Sequence, residues 1–288
     1  MADDFRARIA AEVGAALEGG APVLVATVIA APPEHADRLG AKMLVRADGA
    51  SVGLLDDGPL NAAVLAEAGD AFRRHGVQTI YFSADGVRLG RRDAGADLAY
   101  QVMLEVHERP ATLLIIGGGH IGKALAVIGS LCGFAIEVVD DRLEYANAER
   151  FPEADRITQG RFDEVLVGYP IDANTYIVCV TRGHKHDETS LRLVVDSPAA
   201  YVGMIGSKRR VGAVLQHLAE EGTDAQAVAR VRTPIGLDIG AETPEEIAVA
   251  IMAEIIRERR GGTGQPMRNA KGIRRGIAPS ERVPEDGD

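Results

Sequence analysis

The stretch that most constrains this fold is Leu113-Leu114-Ile115-Ile116-Gly117-Gly118-Gly119-His120-Ile121-Gly122-Lys123-Ala124-Leu125, an apolar run that breaks into glycines and resumes with helical spacing. The pattern predicts strand, tight turn and helix. Gly117, Gly119 and Gly122 fall on the G-x-G-x-x-G spacing, which permits a tight turn, close approach of a phosphate to the backbone and close packing of helix on strand. The free N–H groups and the dipole of the new helix then face an anion. A second apolar strand, Ala135 to Val139, is closed by Asp140, near the place where a Rossmann unit puts the carboxylate that bonds a ribose hydroxyl. Taken together, Gly117, Gly118, Gly119, His120, Ile121, Gly122 and Asp140 are read as a nucleotide-like or pterin-like ligand site. If the ligand is a dinucleotide, Asp140 favours NAD over NADP, because it repels a 2′-phosphate.

From residue 111 onward, strands and helices alternate, which predicts parallel βαβ units and a doubly wound sheet. Six strands are expected: Thr112 to Ile116, Ala135 to Val139, Arg156 to Thr158, Thr175 to Val180, Ala200 to Ile205 and Ala229 to Arg232. Thr243-Pro244-Glu245-Glu246 predicts a helix start, with a threonine cap, proline in the first helical position and glutamate three residues after the cap. Ile247, Ile251 and Ile255 form its inward stripe, and Gly261-Gly262 ends it. The preceding half predicts a smaller α+β domain over residues 1–107. Its elements are a helix over 3–18, a strand from Val23 to Ile29, a hairpin of Met43 to Val45 with Ser51 to Leu55, a helix from Pro59 to His75, and strands Val77 to Phe82 and Leu98 to Val106. Ala31-Pro32-Pro33-Glu34-His35 is expected to be a loop without helix. The Rossmann-like domain is expected over 111–262. Residues 263–288, with Arg268, Lys271, Arg274 and Arg275, are expected to be a solvated, disordered tail.

In such a sheet, ligands bind beyond the carboxyl ends of the strands, so the loops that follow them are read together. Thr181-Arg182-Gly183-His184-Lys185-His186-Asp187 follows the fourth strand. His184 and Asp187 are the candidates for acid–base work, and Thr181 and His184 for polar contact with a ligand. His184 and His186 lack an obvious third ligand, so no metal site is expected. Gly206-Ser207-Lys208-Arg209 follows the fifth strand and is read as a second anion site, with Ser207 capping a helix whose first residues bring two cations.

The 288 residues carry a net charge of −10, which argues against nucleic acid as a partner. No run reaches the roughly 20 apolar residues of a membrane helix. The acidic start, Met1-Ala2-Asp3-Asp4, does not resemble a signal peptide. The two cysteines, Cys132 and Cys179, offer neither metal spacing nor a disulfide framework. A cytoplasmic protein is expected.

Five segments together resemble the xanthine dehydrogenase accessory family (XdhC/CoxI type): Gly117 to Gly122, Val139-Asp140-Asp141-Arg142, Thr181 to Asp187, Tyr201 to Arg209, and Pro234 to Ala248. In the first half, Gly40 to Val45 and Asp48-Gly49 are similar to the family's first domain. Where that domain usually carries Gly-Gly-x-Leu-Glu, this chain reads Leu54-Leu55-Asp56-Asp57-Gly58-Pro59-Leu60-Asn61, so any ligand there is expected to be absent or different. The resemblance implies a maturation factor that binds molybdenum cofactor (a molybdopterin), supports its sulfuration and passes it to a molybdenum hydroxylase apoenzyme. It implies a cysteine desulfurase as a further partner and allows a homo-oligomer. On the residues alone, two other functions stay open: an NAD(P)-dependent oxidoreductase and a nucleotide-binding scaffold without chemistry. No proton donor paired with a hydride site is evident.

Overall fold

A computed structural model describes residues 2–91 and 99–269. The first half builds α1 (Ala2–Leu17), β1 (Val23–Ala30), β2 (Lys42–Arg46), β3 (Ser51–Gly53), α2 (Leu60–Arg74), β4 (Val77–Phe82), β5 (Arg88–Leu89) and β6 (Tyr100–His107). These strands form an antiparallel sheet in the order β3-β2-β1-β6-β4-β5. Alternation along β1 turns Leu24, Ala26 and Val28 toward Leu60, Val64 and Ala71 of α2, while Val23 and Val25 pack beneath Ala16 of α1. The loop expected without helix over Ala31 to His35 runs into a short 3-10 helix, Pro33–Arg38, interrupted at His35. Proline is tolerated there because the first N–H groups of a helix have no partner to lose. Leu98, expected to begin the last strand, lies outside the described residues.

The second half contains β7 (Thr112–Ile116), α3 (His120–Leu131), β8 (Ala135–Asp140), β9 (Arg156–Gln159), α4 (Phe162–Val165), β10 (Thr175–Cys179), α5 (His184–Val194), β11 (Tyr201–Met204), α6 (Lys208–Glu220), α7 (Ala225–Arg230) and α8 (Pro244–Arg260). Its sheet runs β11-β10-β7-β8-β9 with every pairing parallel, a Rossmann-like arrangement. Strands covered on both faces need apolar residues throughout, and β7 and β10 are buried at every position. α3 and α8 cover one face through Leu125, Ala126, Ile251 and Ile255. α5, α6 and α7 cover the other through Leu191, Val211, Leu218 and Ala227. The strand order reverses between β7 and β10, which places a crevice at their carboxyl ends.

The sixth expected strand, Ala229 to Arg232, is not a strand. Its first residues end α7, which Asp224 caps by accepting from the Gln226 N–H, and only a single bridge joins Gly203 to Arg232. Arg230 turns back to the carbonyls of Val195, Ser197 and Ala199. Pro234 follows, and without an N–H it cannot extend a ladder. The expected tail begins with a 3-10 turn at Met267–Asn269, and the rest of it lies outside the described residues, Lys271, Arg274 and Arg275 included.

Candidate functional site

The glycine turn is built for three separate reasons. Gly117 adopts φ +114°, and a Cβ there would lie 2.6 Å from the Val180 carbonyl oxygen, so the turn closes against the end of β10. A Cβ on Gly118 would lie 2.0 Å from the Tyr145 carbonyl oxygen, and one on Gly122 would lie 2.1 Å from that of Gly117. Folding therefore demands glycine at 117, 118 and 122. At Gly119 the situation reverses: a Cβ would meet no described atom within 4 Å, and φ is an ordinary −64°. Gly119 is the N-cap of α3, so the open space lies where the unpaired N–H groups of that helix begin. His120 beside it is exposed, and Ile121 is half-buried against the α3–α8 side of the core.

Asp140 does not wait for a ribose. It is buried, and its two carboxylate oxygens accept from the Gly118 N–H at 2.7 Å, the Arg142 N–H at 3.0 Å, Arg142 Nε at 2.9 Å and Arg142 Nη2 at 3.0 Å. Burial by itself raises its pKa, but the bonds from the Arg142 side chain and from the Arg142 and Gly118 N–H groups outweigh it and hold the carboxyl below its ordinary value. A ribose hydroxyl of the kind expected from the sequence would share these acceptors with the turn and with Arg142. The chain after Asp140 then folds over it. The Arg142 guanidinium stacks 3.6 Å from the centre of the Tyr145 ring, and Arg150 Nε donates to the Gly118 carbonyl at 2.8 Å.

The neighbouring loops converge on the same edge of the sheet. Thr181 lies two residues beyond β10, and its hydroxyl donates to the buried Asp187 carboxylate at 2.5 Å, which ties α5 to the strand it follows. The His186 ring meets Phe162 edge-on at 5.6 Å. His184 and Lys208 open α5 and α6, but their side chains lie outside the described residues. Gly206 lies in the turn after β11, Ser207 holds the N-cap position of α6, and Arg209 is exposed. Ser207 makes no side-chain capping bond, a correction to the expected cap: position alone does not aim a hydroxyl at the N–H two or three residues on.

The Pro234–Gly240 segment proves to be a scaffold. Ile235 packs onto Gly203, where a Cβ would meet it at 2.4 Å, and the Gly236 N–H donates to buried Glu254 at 2.9 Å. The second oxygen of Glu254 accepts from the Tyr201 hydroxyl at 2.9 Å, so one carboxylate joins β11, this loop and α8. Arg150 is the site residue that sequence reasoning missed. It is far from the glycine motif in sequence, and no spacing rule connects the two.

Comparison with known proteins matches residues 113–255 to the XdhC Rossmann domain and residues 16–83 to the XdhC and CoxI family. The chain is 32% identical over 230 residues to the uncharacterized protein YqeB of Escherichia coli, covering 79% of this chain and 42% of that protein. It is 29% identical over 164 residues to a probable xanthine dehydrogenase subunit of Bacillus subtilis, covering 57% of this chain and 48% of the relative. The chain thus spans less than half the length of the curated relatives it matches. A crystal structure of a xanthine dehydrogenase from Bacillus halodurans shares the fold at a TM-score of 0.51 and 20% identity, covering 91% of this chain and 97% of that one. On these matches and on the glycine-turn geometry, the chain belongs to the XdhC family.

Proposed function

We propose that this protein is an accessory factor for a xanthine dehydrogenase-type molybdenum hydroxylase, binding molybdenum cofactor and supporting its sulfuration and delivery. Family membership supports the accessory role. Open space at Gly119, beside three glycines that the fold itself requires, is the observation that carries the binding site. A phosphate-bearing pterin fits these residues: its phosphate meets the free N–H groups at the start of α3, with Lys123 and Arg150 at hand. The cofactor supplies the hydroxylase's redox chemistry, and the residues of this chain bind and orient it. A dinucleotide fits less well, because Asp140 is spent on Arg142 and Gly118, and the Tyr145 carbonyl covers the β8 side of the turn.

On this reading the sulfur comes from a separate enzyme such as a cysteine desulfurase. Cys179 is fully buried, and burial pushes its thiol far above the usual range, while Cys132 follows the far end of α3. The described helices include none long and apolar enough to cross a membrane, which agrees with a cytoplasmic partner of such an apoenzyme. A homo-oligomer belongs to the same proposal.

Deleting the gene is expected to leave a molybdenum hydroxylase of the same cell present but inactive, with its cofactor missing or lacking the terminal sulfur. Wild-type protein should restore activity, and Gly119→Val should not. Full hydroxylase activity in the deletion strain overturns the proposal.

A further inference from the structure

An open groove of about 570 Å³ runs along the solvent face of α3, starting at the residue after Gly119. It is lined by His120, Lys123, Ala124, Val127 and Ile128 of α3, by Arg150 and by Glu245 of α8. From His120 to Ile128 the helix rises about 12 Å, close to the length of one heterocycle with its side chain. Lys123 and Arg150 bring positive charge to the groove and Glu245 one carboxylate, while Ala124, Val127 and Ile128 give it an apolar surface.

Arg150 supplies an independent observation. Its Nε is used on the Gly118 carbonyl, but its Nη2 is buried and has no hydrogen-bond partner among the described residues. A buried donor left unpaired costs about 1–3 kcal/mol, which an anionic acceptor removes once the guanidinium of Arg150 shifts toward the groove that it lines. The other exits from Gly119 are poorer. On the β8 side the segment from Arg142 to Arg150 lies over the turn. A smaller groove of about 300 Å³ beside α5 is lined by no residue of the glycine turn, and its Arg161 is already paired with Asp163.

We propose that the α3 groove receives the organic body of a phosphorylated heterocycle whose phosphate sits at Gly119, and that Arg150 and Lys123 anchor it. The inference rests on the ligand-site reading given under Proposed function and adds the direction in which the ligand lies. That direction differs from the β8-side path of an adenosine in a dinucleotide-binding sheet.

Calorimetry with two probes tests it: a pterin carrying a side-chain phosphate, and inorganic pyrophosphate as the head group alone. Val127→Phe adds bulk to the groove at a position that is 43% exposed, without changing charge, so the fold should tolerate it. It is expected to weaken phosphopterin binding at least tenfold and to leave pyrophosphate within about twofold. Gly119→Val is expected to abolish binding of both probes. Lys123→Gln, at an exposed position, should weaken the phosphopterin several-fold. If Val127→Phe leaves phosphopterin binding intact while Gly119→Val abolishes it, the groove inference is overturned and the ligand site stands. If neither variant affects binding, or the wild type binds neither probe, both are overturned.

Discussion

Replacing Asp140 by asparagine should expose what its carboxylate does. The group is 1% exposed and holds Arg142, whose side chain keeps 19% of its surface. Breaking a buried pair costs about 3–5 kcal/mol, and the remaining exposure of Arg142 places Asp140→Asn near the lower value. Because the folded-state pKa is depressed, the stabilisation is complete above the unfolded-chain value of about 4. It is lost as the pH falls through the lower folded-state value. Urea unfolding from neutral to acid pH should therefore show the wild type converging on Asp140→Asn at the acid end. A gap that stays constant to the lowest pH would remove Asp140 as its source. The same residue marks the limit of spacing arguments. Its place at the end of β8 was legible, but the turn's need for its oxygens depends on Gly118 and Arg142 meeting it in space.

At the scale of elements, the helix starts differ in how they are held. Thr243 and Glu246 form a reciprocal capping box on α8, with bonds of 3.2 Å and 3.0 Å, whereas Ser207 on α6 forms no such bond. Thr243→Ala should cost about 1 kcal/mol, visible as a lower thermal midpoint. Ser207→Ala should stay within about 0.5 kcal/mol. Equal losses would show that Ser207 caps its helix in solution. The α8 box was legible because three signals agreed within four residues, whereas the strand expected from Ala229 to Arg232 overlaps the end of α7, which starts at the Asp224 cap. Arg230 reaching the carbonyls of Val195, Ser197 and Ala199 settles that segment, and those partners lie more than 30 residues away.

For the whole molecule, the two sheets meet where α8 ends beside α2. Arg260 Nη1 donates to the Arg74 carbonyl at 2.5 Å, and Glu108 joins His75 at 2.6 Å and Arg259 at 3.6 Å. Arg259 also lies over the Phe134 ring, 5.1 Å from its centre, so one side chain serves the second core and the joint. Arg109, just before β7, pairs with Asp172 and donates to the Thr112 hydroxyl at 3.0 Å. Glu108→Ala removes the shared carboxylate, and hydrogen bonds to charged groups are worth about 1.5–3 kcal/mol. Calorimetry should show one unfolding transition in the wild type and a broadened or divided one in Glu108→Ala. An unchanged single transition would mean that apolar contact, and not this cluster, couples the halves.

The sequence by itself determined the local architecture: the β7 turn and α3, the alternation that makes the second sheet parallel, and the start and stop of α8. It could do so because glycine backbone freedom, capping chemistry and apolar periodicity act over a few residues. Tertiary structure alone decided which motif glycines serve the fold and which one leaves room for a ligand. It did so through Val180, the carbonyl of Tyr145 and Gly117 itself, which approach Gly117, Gly118 and Gly122 and leave Gly119 open. It also turned the Pro234–Gly240 segment into a buttress on Glu254 and brought Arg150 to the glycine turn. Such roles are set by which backbone atoms come within 3 Å of one another after folding, and residues distant in sequence carry no mark of that approach.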